Sequence, residues 1–287
     1  MDYRVKRNYT IARLPKIFSD EKRGKCSPCS TCNQLVLASS TSVENAHNDI
    51  KGVYLRKSSV TDVVTFKIVK DNVTLANLGT LGLFPNDSLM TGFIFDWKKY
   101  LISNGEGCYT ISVDFTIGGI TGSYNIGIYD LKNYSITNAS GTVRLKSKFN
   151  SYSVNNEADF TDSNFEDCIR FNGFFGNRQA ETQISNLVNK GRIVEKVTRE
   201  NLNKYTLRTD PLNDCKTKQL LDFHLLHEDE IYISDHNASN HSFEYFDKPL
   251  ILIDTPTVEY TDGYRLAKIT ATFGDKVVDR KSMYNKK

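Results

Sequence analysis

Hydrophobic and polar positions alternate with a period of two over much of the chain. In VTFKIV (64–69), Val64, Phe66 and Ile68 face away from Thr65 and Lys67. In YTISVDFTI (109–117), Ile111, Val113, Phe115 and Ile117 alternate with Ser112, Asp114 and Thr116. YNIGIYDL (124–131) and TVRLKSKF (142–149) follow the pattern more loosely. Such alternation predicts strands with one buried face. Glycine-rich punctuation at GGITGS (118–123) and NASG (138–141) predicts hairpins between them. Consecutive short strands with no helix between them predict an antiparallel β-sandwich over 50–153.

The polar stretch NSYSVNNEADFTDSN (150–164) reads as a linker or domain boundary. Strand patterns resume in CIRFNGFFG (168–176), QISNLV (183–188), RIVEKVTRENLNKYTLRT (192–209), EIYIS (230–234), KPLILIDTPTVEYT (248–261) and YRLAKITATFGDKVV (264–278). One helix interrupts them, CKTKQLLDFHLLH (215–227), with Asn213 or Asp214 as its cap and Leu221 and Leu225 four apart on a broad apolar face. The expected organisation is an N-terminal arm over 1–49, a β-sandwich over 50–153, and a second β unit over 165–287, barrel or sandwich, with one packed helix. The fold class is mainly β.

Composition changes this picture little. With 287 residues, 39% hydrophobic and 25% charged, the chain can bury a sizeable core. No apolar run approaches membrane-spanning length. The first residues carry scattered charges and no apolar core of a signal sequence, which predicts folding in the cytosol. Charge changes it more. Residues 1–25 hold eight Lys and Arg against Asp2, Asp20 and Glu21, a local +5 in a chain of net +3, so the remainder is −2. A basic arm on a near-neutral body suits contact with DNA or an acidic protein surface.

The six cysteines divide into a cluster and three isolated residues. Cys108, Cys168 and Cys215 are far apart and read as reduced, small apolar side chains. Cys26, Cys29 and Cys32 form CSPCSTC. Two successive C-x2-C spacings suit zinc, with His47 the nearest histidine for a fourth ligand. The second ligand pair of common zinc modules is missing, and so is the βαβ context of a redox C-x-x-C. A tight turn at a subunit contact is the preferred reading, with zinc the alternative.

Other chemistry is sparse. The chain carries none of the phosphate-binding glycine loops, nucleophile elbows or paired-histidine zinc motifs. His224 and His227 lie three apart on the expected helix, near Glu228, Asp229, Glu230, Asp235 and His236. Their placement at a helix end and loop favours solvated charge over a metal site. Trp97 is the sole tryptophan and, beside Phe93 and Phe95, reads as core or interface rather than a sugar platform. No residue is assigned a catalytic role, and the chain is read as a non-enzyme.

Four segments, ASGTVRLKSKFNSY (139–152), FNGFFGN (171–177), LLHEDEIYISDHNASNH (225–241) and GYRLAKITATFGDKVVDR (263–280), resemble the tail and hub structural proteins of crAss-like and related phages of Bacteroidetes. The likeness spans most of 50–280 and excludes CSPCSTC. It implies a virion component made in the host cytoplasm, a tail hub or connector ring subunit whose second half is similar to the tail-tube type of fold. The implied partners are further copies in a ring and other tail or portal-proximal proteins. A receptor- or glycan-binding decoration is the alternative, and a tail-borne hydrolase a more distant one.

Overall fold

The protein is described from a computed structural model covering residues 34–42, 47–78, 84–117, 119–153, 158–188, 194–226, 228–236, 245–261, 266–276 and 279–282. It is mainly β and its sheets are almost wholly antiparallel. The first half contains β1 (Gln34–Ala38), β2 (Ile50–Arg56), β3 (Val63–Lys70), β4 (Val73–Leu78), β5 (Met90–Asp96), helix α1 (Trp97–Asn104), β6 (Gly107–Ile117), β7 (Ile120–Asn133) and a single-turn helix α2 (Ile136–Ala139). A five-stranded sheet runs in the order β1-β7-β6-β3-β4, with β1 parallel to β7. The period-two pattern faces its core as expected: Phe66, Ile68, Tyr109, Ile111 and Val113 are buried on one face. The two-stranded sheet β2-β5 and α1 supply the opposing layer through Val53, Leu55, Phe95, Trp97 and Leu101, which makes this half sandwich-like.

Two local expectations fail here. Helix α1 departs from the expectation of consecutive strands with no helix between them over 50–153. Its ends are well specified all the same: the Asp96 side chain accepts the Lys98 N–H at 3.0 Å, and Gly105, at φ 75°, closes the helix with its N–H on the Leu101 carbonyl. NASG is no hairpin. Ser135 caps α2, and the turn carries the chain from β7 into a different sheet. GGITGS does form the expected tight turn, with Ile117 opposite Ile120 and Gly119 at φ 80°.

The second half contains β8 (Thr142–Phe149), β9 (Tyr152–Ser153), β10 (Ala158–Asp159), β11 (Phe165–Val188), β12 (Val194–Thr209), β13 (Leu212–Asn213), α3 (Asp214–Lys218), β14 (Glu230–Asp235), β15 (Tyr245–Leu252), β16 (Thr257–Thr261), β17 (Leu266–Asp275) and β18 (Asp279–Ser282). A π-helical segment, Gln219–Leu225, continues α3. Asn213 is the cap, accepting the Lys216 N–H at 2.8 Å.

β8 pairs with β11 and β14, so it belongs to this large sheet and not to the first one. The polar stretch 150–164 therefore lies between two neighbouring strands of one sheet. From β8 the ladders run to β11, to β12, to β17, to β15, to β14 and back to β8. Six antiparallel strands thus complete a circuit, as two three-strand meanders joined through the helix. The interior is filled by Val143, Leu145, Ile169, Phe171, Leu207, Ile231, Ile233, Ile269 and Phe273, with Leu220 and Leu225 packed in from the helical segment.

A third cluster joins the halves. Tyr54 of β2, Phe84 and Met90 pack with Phe149, Phe160, Phe165 and Phe223. Phe149 and Phe223 stack with centroids 4.4 Å apart. β2 runs so close to β11 that a Cβ on Gly52 would lie 2.4 Å from the Glu166 carbonyl oxygen and 2.6 Å from the Phe165 ring. Only glycine fits that crossing.

Candidate functional site

Charged side chains are concentrated at this junction, and almost all are buried. Asp49 immediately precedes β2. Its carboxylate accepts Arg170 Nε at 2.8 Å and Nη2 at 2.9 Å, Arg144 Nε at 3.0 Å, and the Leu37 N–H at 2.8 Å. Arg144 on β8 and Arg170 on β11 are direct cross-strand partners. Like charges opposite one another repel, so the pair needs the carboxylate that Asp49 brings from the other half. Arg144 Nη1 also donates to Asp247 Oδ1 at 2.5 Å and Nη2 to the Asn48 carbonyl at 2.9 Å, while Arg170 Nη1 donates to Thr142 Oγ1 at 2.9 Å. Burial pushes the Asp49 carboxyl up, but Arg170 and Arg144 outweigh it and hold the group below the usual carboxylate range.

A second arrangement lies two residues along. Lys51 Nζ sits 2.5 Å from Asp167 Oδ2, and Asp167 Oδ1 accepts the backbone N–H groups of Gly52 and Cys168, each at 2.9 Å. His224 Nε2 is 3.4 Å from Oδ2 without hydrogen-bond geometry, and its Nδ1 is 3.0 Å from Ser147 Oγ. Burial raises Asp167, yet Lys51 and His224 bring it below its ordinary value; burial lowers His224. Ser147, His224 and Asp167 thus form a serine–histidine–aspartate row in which each residue is 0% exposed.

At the rim of the first network stands an aromatic group. His47 stacks on Tyr134 with centroids 3.9 Å apart, Tyr134 Oη is 3.3 Å from His236 Nδ1, and Phe246 meets both imidazoles edge-on or tilted at 5.6 Å. Burial, followed by Arg170, pushes His236 down to about 3.

Of the residues singled out from the sequence, Cys26, Cys29 and Cys32 lie outside the described residues, as do the basic arm, His227 and His241. His47 is engaged with Tyr134 and, through Nδ1, with Ser42 Oγ at 3.1 Å. Among the described residues no group of three or more His, Cys, Asp or Glu could hold a metal ion. Asp229 accepts the Asn150 N–H and the Ser151 hydroxyl, and Glu230 pairs with Lys276 and Tyr232. Cys168 is free and buried, its thiol pushed up to about 11 by burial. Cys108 is disulfide-bonded, which corrects the expectation that the isolated cysteines are all reduced. Trp97 is 0% exposed against Tyr129, Tyr109 and Tyr100, so it is core.

Sequence reasoning missed Asp49, Lys51, Arg144, Asp167 and Arg170. Alternation places Arg144 with Lys146 and Lys148 on an outward face. That this face is covered at Arg144 depends on which segment crosses it, a tertiary fact. No protein-family model matches the chain, and no curated protein matches it in sequence. No helix among the described residues is long and apolar enough to cross a membrane.

Proposed function

We propose that the chain is a structural subunit of a phage virion, a tail hub or connector ring component that assembles with copies of itself and with neighbouring tail or portal-proximal proteins. The observation that carries the reading is the β11–β12 ribbon. Beyond the six-strand circuit the two strands continue to pair with each other from Ala180 and Asn203 to Val188 and Val194. At about 3.4 Å per residue that extension is roughly 30 Å long. At its base Asn177, Arg178, Gln179, Ala180 and Glu181 are exposed in succession, on both faces, so the ribbon leaves the body rather than covering it. Along this extension β18 edges β12 over Thr198–Asn201, while among the described residues no strand pairs with the outer edge of β11; a ribbon with one such open edge is suited to pairing with another chain. A rigid body is the complement such an arm needs, and the buried ion pairs and shared aromatic cluster join the two halves into one. The segments resembling crAss-like tail proteins add to the reading. It includes no catalytic role, since the serine–histidine–aspartate row is enclosed.

The test is assembly of the full chain. Sedimentation and electron microscopy of purified protein, alone and with co-expressed virion proteins, are expected to give closed rings. Obligate interfaces of that kind bury more than about 2,000 Å². A protein that is monomeric at every concentration and missing from purified virions would overturn the proposal.

A further inference from the structure

We propose that Lys51 and Asp167 join covalently, in an intramolecular isopeptide bond between the lysine Nζ and the aspartate Cγ. The inference is independent of the virion role.

Four features of the site converge on this chemistry. The amine and carboxylate are in contact at 2.5 Å, with side-chain exposures of 3% and 0%. An ion pair so enclosed loses its hydration, which in water is what holds ammonium and carboxylate apart as ions. A neutral amide removes both charges from the interior. Second, the pair is held by β2 and β11 where Gly52 lets the strands touch, so the reacting groups are fixed at high effective concentration. Third, Asp167 Oδ1 already accepts two backbone N–H groups, from Gly52 and Cys168. Those fixed donors strengthen as negative charge grows on that oxygen in a tetrahedral adduct. Fourth, His224 Nε2 lies 3.4 Å from the other oxygen, Oδ2, and is buried without a hydrogen bond. Ser147 fixes the ring through Nδ1. An otherwise idle imidazole nitrogen at the leaving oxygen is placed to move a proton.

The step balances within the pair. A proton passes from the Nζ ammonium to Oδ2, giving a neutral amine and a carboxylic acid. The amine lone pair forms the Nζ–Cγ bond and the carbonyl electron pair moves onto Oδ1, against the Gly52 and Cys168 amides. His224 Nε2 takes a proton from the new Nζ centre and delivers it to Oδ2. The Cγ–Oδ2 bond breaks, water leaves and the Oδ1 carbonyl re-forms. One ammonium and one carboxylate become one amide and one water, with no oxidant or other reactant. The resting pair is ionised, so reaction runs through a minor neutral form, slowly and once per chain. The product staples two strands whose linked residues are 116 apart in sequence.

The experiment is the intact mass of the reduced, denatured full chain, followed by peptide mapping. The wild type is expected one water lighter than its sequence mass, with a branched peptide carrying Lys51 and Asp167 and no tryptic cleavage after Lys51. Lys51→Arg keeps the cation but offers no amine nucleophile, and should show its full mass. His224→Gln should form the bond several-fold more slowly in a time course of freshly folded protein. Wild-type protein that is folded by circular dichroism, aged, of full sequence mass and cleaved by trypsin after Lys51 overturns the proposal. So does a water loss that maps to any other pair or persists in Lys51→Arg. The wild-type measurement decides alone if a variant fails to fold.

Discussion

Asp49 has the most to lose by substitution. Four donors from three parts of the chain, Arg144, Arg170 and the Leu37 amide, end on its two oxygens. Asp49→Asn keeps the shape but leaves two facing guanidiniums, of which Arg144 retains its ion pair with Asp247. Breaking one side of a buried charge set typically costs about 3–5 kcal/mol, and a urea titration should show the midpoint falling with the slope unchanged. Acid sensitivity divides by residue. His236 is held neutral, at about 3 in the fold against 6.5 when exposed, with Arg170, Arg144, Asp49 and His47 around it. The unfolded chain therefore binds more protons between those values, and stability falls as pH drops through that window. The buried His224 is shifted the same way and adds to the fall. Asp49 behaves oppositely in sign of charge. Its folded value lies below 3.8, so its contribution is present above that pH and is lost as pH falls through the folded value. His236→Gln should flatten the loss between pH 6.5 and 4, by on the order of a few kcal/mol at most, and leave the steeper loss below pH 4 in place. Unfolding curves across pH that superimpose for variant and wild type would refute the assignment. None of this was legible residue by residue. Arg144 and Arg170 sit in strands whose alternation is correct, and only the crossing of β2 turns their outward face into an interior.

At the scale of elements the sequence was more informative. The strongest alternations, in β3 and β6, are strands of the five-stranded sheet with the expected faces buried. The helix after Asn213 stands where its leucines placed it, though seven of its residues wind as a π-helix, a change of hydrogen-bond register that apolar spacing does not report. α1 escaped notice because its apolar residues continue those of β5 without a break, while its start and stop are written in Asp96 and Gly105 alone. The length of β11 and β12 is legible as long strand patterns, but their continued pairing beyond the six-strand circuit, with β18 along one edge, is not. That ribbon yields a prediction. Replacing residues 180–202 with a two-residue Asn-Gly turn should leave the six-strand circuit intact, because pairing of 173–176 with 206–209 and of 204–208 with 270–274 is retained. β18 loses its partner strand, a limited loss at the chain's end. The thermal midpoint should move by a few degrees, about 1 kcal/mol in a chain of this size, while sedimentation should show assembly abolished. A shortened chain that still forms the wild-type oligomer would remove the ribbon from the interface.

At the scale of the whole molecule the question is whether two β units act as one. The polar stretch 150–164 suggested a linker, yet Phe160 within it is 1% exposed and packs against Tyr54 of β2 and Phe149 of β8. A linker whose aromatic residue belongs to a shared core does not permit independent motion. Three ties cross the same junction: the Asp49 carboxylate on Arg144 and Arg170, the Lys51–Asp167 contact, and the cluster around Phe223. Coupling of this strength predicts a single transition. Trp97, the chain's one tryptophan, is enclosed in the core of the first half, so its fluorescence reports that half, whereas far-ultraviolet circular dichroism reports both. The two unfolding curves should coincide in the wild type. Phe223→Ala removes a ring stacked on Phe149 and edge-on to Phe165, a truncation of the kind that costs about 3–5 kcal/mol. Phe223 belongs to the second half, so a loss confined to that half would leave the tryptophan transition where it was. A loss at a shared core instead moves both curves down together. Wild-type curves that separate, with the tryptophan signal unchanged by Phe223→Ala, would show that the junction holds the halves side by side without coupling their stability.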